Sequence, residues 1–179
     1  LIKARRYFYW GDSSGGSHLR NGNNWLWLLA KTRDPLLAWY CDHLKQGETW
    51  EDVLFADAAI PRKDPFGESP NRLFRSVGTT VFKGGWEPTD FSFAMRSGAF
   101  FNHQHLDQGA FWLADRGTIF LEERDGSDYY DDYLYQPWFT QPVSHSTILI
   151  NGNHQSQRTG DIIGFVDGFD DHAKTAHFL

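Results

Sequence analysis

Between residues 23 and 59 the apolar positions recur at helical spacing. Trp25, Leu28 and Leu29 fall at i, i+3 and i+4, along one face of a helix. Asp34-Pro35 ends that helix and opens a second, because proline tolerates the first helical turn but no interior position. The second helix is predicted to run to about Lys45, before Gly47. A third, short helix follows, since Thr49-Trp50-Glu51-Asp52 sets a capping hydroxyl three residues before a carboxylate. Residues 61–71, with three prolines and a glycine, read as a linker. Beyond them the period changes to that of strands. The β-rich runs 77–82, 91–96, 109–114, 118–123 and 147–151 are separated by Gly, Pro, Asp and Asn turns. Asn151-Gly152 is a hairpin signal. No internal repeat or low-complexity tract interrupts this order.

The pattern predicts an α+β chain, a short helical segment feeding an antiparallel sheet or sandwich. Three short helices cannot cover one another's apolar faces, so the segment is expected to close a larger helical domain. No turn signal closes the sheet half before Leu179, and the chain starts at Leu1 without a methionine. A piece of a longer, exported protein, cut at both ends, is the expectation.

Composition narrows the function classes. With 179 residues, 40% of them apolar and 17% aromatic, the chain can bury a core. A net charge of -6 lacks the basic excess that holds nucleic acid or anionic membranes. No run approaches the length of a membrane span, and charges occupy residues 1–10 where a signal peptide would be apolar. The single cysteine, Cys41, excludes an intrachain disulfide framework.

Chemistry concentrates around His103-Gln104-His105, with Asp107 behind it and His145 further on. Alternate side chains of a strand share a face, so a His-x-His pair aims two imidazoles at one point. Imidazoles with one carboxylate suit a borderline cation, usually zinc. The candidates are His105, His145 and either Glu122 or Glu123, which alternation puts on opposite faces, so that only one can be a ligand. The bland alternative is a set of partly exposed, hydrogen-bonded histidines beside a solvated strand end. Trp25, Trp27 and Trp39 are expected in the core, and Asp12 in a turn. The run of Tyr129, Tyr130, Tyr133, Tyr135, Trp138 and Phe139 is assigned to packing ahead of sugar stacking. His154, His172 and His177 receive no role.

Several stretches together resemble the heparinase II/III-like polysaccharide lyases. They are Arg96-Ser97-Gly98, the run Asn102-His103-Gln104-His105-Leu106-Asp107-Gln108-Gly109-Ala110-Phe111, Gly117 with a strand ending in an acid, Ser144-His145-Ser146-Thr147, and Gln155. Trp10-Gly11-Asp12-Ser13 is similar to a turn in that family's toroid. The resemblance implies closing helices of an incomplete α/α toroid over residues 1–60, a linker over 61–71, and the N-terminal part of a β-sandwich over 72–179. It implies a structural zinc on His105, His145 and an acid at 122 or 123. Glu122 is favoured because Ile119-Phe120-Leu121 precede it as apolar residues precede the family's acid, which is usually aspartate. Ser146 stands where the family commonly has asparagine.

The implied reaction is β-elimination on an acidic polysaccharide or oligosaccharide containing uronic acid, in the bacterial periplasm or outside the cell. His103 would face the substrate cleft, and the family's tyrosine and its Asn or His partner would lie upstream of Leu1. Two other classes stay open. A cupin-like β-barrel would use His-x-His, a glutamate and a distant histidine for a catalytic metal, but would place its glutamate only a few residues after the pair. A non-catalytic carbohydrate-binding module is the other.

Overall fold

The computed structural model describes residues 8, 10–11, 23–44, 50–87, 89–100, 105–123, 130–168 and 173–178. It divides into two compact units, one of His18–Glu68 and one of Leu1–Ser17 with Ser69–Leu179.

The first unit holds α1 (Asn23–Thr32), α2 (Pro35–Leu44) and α3 (Trp50–Phe55). Arg33, with φ of 51°, breaks the first helix. Asp34 then caps the second, its Oδ1 accepting from the N–H groups of Leu36 at 2.7 Å and Leu37 at 3.1 Å. Thr49, the expected cap of α3, lies outside the described residues. Leu26, Leu29, Ala38, Cys41 and Ile60 form the core, with Leu37 and Phe55 against it. Burial and the neighbouring Asp42 and Asp52 carboxylates raise the Cys41 thiol above its ordinary pKa, which suits a packing residue.

The tryptophans correct the sequence reading. Trp25 and Trp27 are 40% and 50% exposed, and Trp39 is half-buried. Helical spacing says which residues share a face but not which face turns inward. Leu26 and Leu29 take the inner face of α1, while Lys31 lies over the Trp27 ring at 5.9 Å. Trp39 instead stacks on His43, centroids 3.6 Å apart.

The second unit is built on an antiparallel meander of β1 (Arg72–Phe74), β2 (Thr79–Lys83), β3 (Ser92–Arg96), β4 (Phe111–Asp115) and β5 (Thr118–Leu121), in that spatial order. Each strand pairs with its neighbour in the chain, as in Phe82 opposite Phe93 and Ala94 opposite Trp112. Alternation gives the sheet two apolar faces. One carries Ala94, Trp112 and Ala114, with Val81, Ile119, Phe8 and Trp10 packed against them. Small alanines beside the tryptophan leave room for its ring, which meets Phe8 edge-on at 5.9 Å. Phe8 and Trp10, which precede the helices in the chain, belong to the sheet unit.

The opposite face carries a ladder of Phe82, Phe93 and Phe111. On Phe82 stacks Phe165, centroids 5.3 Å apart, from β6 (Ile162–Gly168), which pairs with β7 (Ala173–Phe178). A second layer thus covers part of the sheet, as in a sandwich. Asn71 ties the layers further, donating to Asp167 Oδ1 at 2.7 Å and accepting from the Lys83 N–H at 2.8 Å.

Two turns follow their sequence signals. Arg116-Gly117 joins β4 to β5, and Asn151-Gly152 turns the chain at the isolated bridge between Ile150 and Asn153; both residues of each turn have positive φ, as the mirror-image hairpin turn requires. The strand expected at 147–151 does not form beyond that bridge, and Ile148 and Ile150 are exposed. Val77 belongs to a 3-10 turn, Arg75–Val77, instead of the strand start assigned to it.

The loop leaving β3 passes the turn that precedes β2 at a point with no room for a side chain. A Cβ on Gly98 would lie 2.6 Å from the Val77 carbonyl oxygen and 2.8 Å from Gly78 Cα. These are backbone atoms, which cannot swing aside. Gly98→Ala is therefore expected to destabilise the sheet unit by about 1–3 kcal/mol, the usual cost of overpacking. Urea denaturation checks this, and a midpoint equal to that of wild type would show that the backbones can separate.

Candidate functional site

The connection between β3 and β4, residues 97–110, carries the histidine motif. The strand ladder continues into it, with Arg96 N–H donating to Ala110 O at 2.9 Å and Gly109 N–H to Arg96 O at 2.7 Å. Inside the loop the Arg96 guanidinium donates to Asp107 Oδ1 through Nη1 and to Ala99 O through Nη2, the latter at 3.2 Å. The two side chains are 4% and 0% exposed. Burial raises the Asp107 carboxyl above its ordinary pKa, by more than Arg96 pulls it down.

A second segment lies beside this loop. A π-helical turn, Tyr135–Phe139, and a 3-10 turn, Pro142–Ser144, lead into His145, whose backbone is extended. Leu106 N–H donates to Thr140 O at 2.9 Å and Phe111 N–H to Ser146 O at 3.0 Å, which fixes the two segments side by side. His105 and His145 face each other there, ring centroids 5.2 Å apart, and Tyr135 meets His105 edge-on at 6.0 Å.

The acid that completes the group is Glu123. Its Oε2 accepts from His145 Nδ1, and its Oε1 accepts from the Ser146 N–H at 3.0 Å. Glu122, favoured on sequence, is exposed; its backbone carbonyl accepts from Ser146 Oγ at 2.8 Å. The reason is local. Neighbouring residues of an extended chain face opposite sides, and here Glu123 has the buried side and Glu122 the exposed one.

His105, Glu123 and the His145 side chain are each within a few per cent of complete burial. His145 Nε2 and Asp107 Oδ2 are buried without a hydrogen-bond partner among the described residues. Among the described residues the pocket brings together the carboxyl groups of Asp107 and Glu123 and the guanidinium of Arg96. Two imidazoles, a carboxylate and an unsatisfied ring nitrogen fit zinc by donor chemistry. Among the described residues, however, no three His, Cys, Asp or Glu side chains are arranged as a finished metal site.

His103 lies outside the described residues, as do Tyr129, His172 and the side chain of His177. Tyr130 and Tyr133 are exposed, whereas Tyr135 is buried at the histidine pair. His154 lines a cleft of about 370 Å³ with Ser97, Gln108, Thr147, Ile148 and Gln155. Sequence reasoning gave no role to Arg96, although a lone base closing a strand just before an H-x-D loop is a signal for an internal ion pair.

No protein-family model matches the sequence, and no curated protein matches it. Solved structures do match. Heparinase III aligns with a TM-score of 0.69 and 19% identity over 93% of this chain and 26% of its own. Heparan sulfate lyase HepC from Pedobacter heparinus aligns with 0.62 and 17% identity over 93% of this chain and 25% of its own, and a mutant of it with 0.67 and 17% over 92% and 24%. The chain therefore has the fold of that part of these lyases, a few helices followed by an antiparallel, sandwich-like sheet, and spans about a quarter of their length.

Proposed function

We propose that the chain is part of a polysaccharide lyase that cleaves uronic-acid-containing glycans by β-elimination, acting in the periplasm or outside the cell. The observation that supports this most is the likeness to heparinase III over 93% of the chain. No described helix is long and apolar enough to cross a membrane.

The reaction removes the proton α to the uronate carboxylate and protonates the departing glycosidic oxygen. It needs the carboxylate neutralised, a base at the α carbon and an acid at the leaving group. His103 is the residue proposed to face substrate; the tyrosine and its partner would come from residues preceding this segment. A zinc ion on His105, His145 and Glu123 would act structurally, joining the loop after β3 to the segment after the π-helical turn.

The full-length protein is expected to carry about one zinc per chain and to release unsaturated uronate from heparan sulfate or a related acidic glycan. Elemental analysis and ultraviolet absorbance read the two separately. A metal-free protein would sink the zinc assignment, and a full-length protein inert on every uronic acid glycan would sink the lyase reading.

A further inference from the structure

The segments that bring His105 and His145 together are bridged by a side chain from a third stretch. Gln155 follows the Asn151-Gly152 turn. Its Oε1 accepts from the Gln108 N–H at 3.0 Å, and its Nε2 donates to the Gln108 carbonyl at 2.7 Å and to Thr147 Oγ1 at 3.3 Å. One amide thus occupies both hydrogen-bonding groups of a single backbone residue, as an adjacent strand would. The same nitrogen reaches the second segment, where Thr147 Oγ1 itself donates to the Gln108 carbonyl at 2.8 Å.

The position of these contacts matters. Gln108 stands just after the His105-Leu106-Asp107 run, and Thr147 two residues after His145. Gln108 repeats the device one step further on. Its Nε2 donates to the Gly98 carbonyl at 3.0 Å and its Oε1 accepts from the Gly98 N–H at 2.9 Å. Two amides in series therefore join the foot of the β3–β4 loop to the segment of His145. Arg96 holds the loop from inside, and the glutamines hold it from outside.

We propose that Gln155 is a positioning residue, which fixes the register of the His105 segment against the His145 segment and so sets the spacing of the two imidazoles. The metal readout below rests on the zinc assignment; the other readouts do not. Gln155 is half-buried, so methionine keeps its length and volume and removes only the hydrogen bonds.

The test uses full-length protein with Gln155→Met and Gln155→Glu. In Gln155→Met, the Gln108 N–H should exchange roughly tenfold faster, the loss of about one net hydrogen bond, while the β3 amides of Ala94 and Met95 keep their rates. The imidazole NMR signals of His105 and His145 should move in chelator-treated protein, and zinc affinity should weaken by about 10–100-fold, as for loss of an outer partner of a ligand. Gln155→Glu retains the acceptor for the Gln108 N–H but sets a carboxylate oxygen, which cannot donate, against the Gln108 carbonyl, so it should not restore the protection. Unchanged imidazole signals in Gln155→Met would overturn the proposal, as would acceleration spread equally over β3. Wild-type protein that binds no zinc would remove the metal assignment and leave the imidazole signals to decide the role of Gln155.

Discussion

Asp107→Ala is expected to cost about 3–5 kcal/mol of folding stability, the usual penalty for breaking a buried ion pair by removing one partner. The substitution strands the Arg96 guanidinium, whose side chain is 4% exposed and whose other described bond goes to the Ala99 carbonyl. Water cannot reach the orphaned charge without opening the loop. In a chain of this size the loss should lower the thermal midpoint by on the order of 10 °C. Replacing both partners together, as Arg96→Met with Asp107→Leu, should recover much of the loss, because apolar groups of similar volume need no solvation. An Asp107→Ala protein within about 0.5 kcal/mol of wild type, the range of an ordinary surface change, would mean that the pair is solvated in solution.

The second large effect separates His103 from His145. In the full-length protein, His103→Ala should lower turnover by on the order of 10²-fold with zinc content and melting nearly unchanged, since a positioned acid or base contributes about that much. His145→Ala should first lose metal and stability, and activity only in consequence, because His145 joins Glu123 to the His105 segment. Metal analysis, melting and initial rates on the same preparations distinguish the two. Equal metal loss in both variants would make His103 a ligand and favour a cupin-like site.

Elements with a strong local signal were legible in the sequence. Asp34-Pro35 marks the α1–α2 junction through a cap and a ring that any reader of the chain can see. Strands β2 to β5 fall within the β-rich runs or a residue or two of them, and the meander follows from short turns. What failed depends on pairing that the residue pattern does not show. Thr147 to Ile150 has the composition of a strand yet finds no ladder, while β6, with glycines at both 164 and 168, has a weak pattern and pairs nonetheless. At the site, spacing suggested His105 and His145. Between Glu122 and Glu123 the pattern left the face open, and Glu123 is the one buried against His145. The Arg96–Asp107 pair has a local signal in the base that precedes the H-x-D loop, whereas the Gln155 bridge is a tertiary contact without one.

The order of the strands also sets a timetable. Every rung of the five-stranded sheet joins neighbours in the chain, and the Arg96–Asp107 pair spans only 11 positions. Closing such short loops is entropically cheap, so these contacts can form while synthesis continues. The contacts that assemble the site are longer: 22 positions between Glu123 and His145, 39 between Gln108 and Thr147, 47 between Gln108 and Gln155. On the ribosome all five strands have been made at Leu121, before His145 exists. The nascent sheet therefore has its internal ion pair early and stands open at His105 until the later segment arrives to cover it.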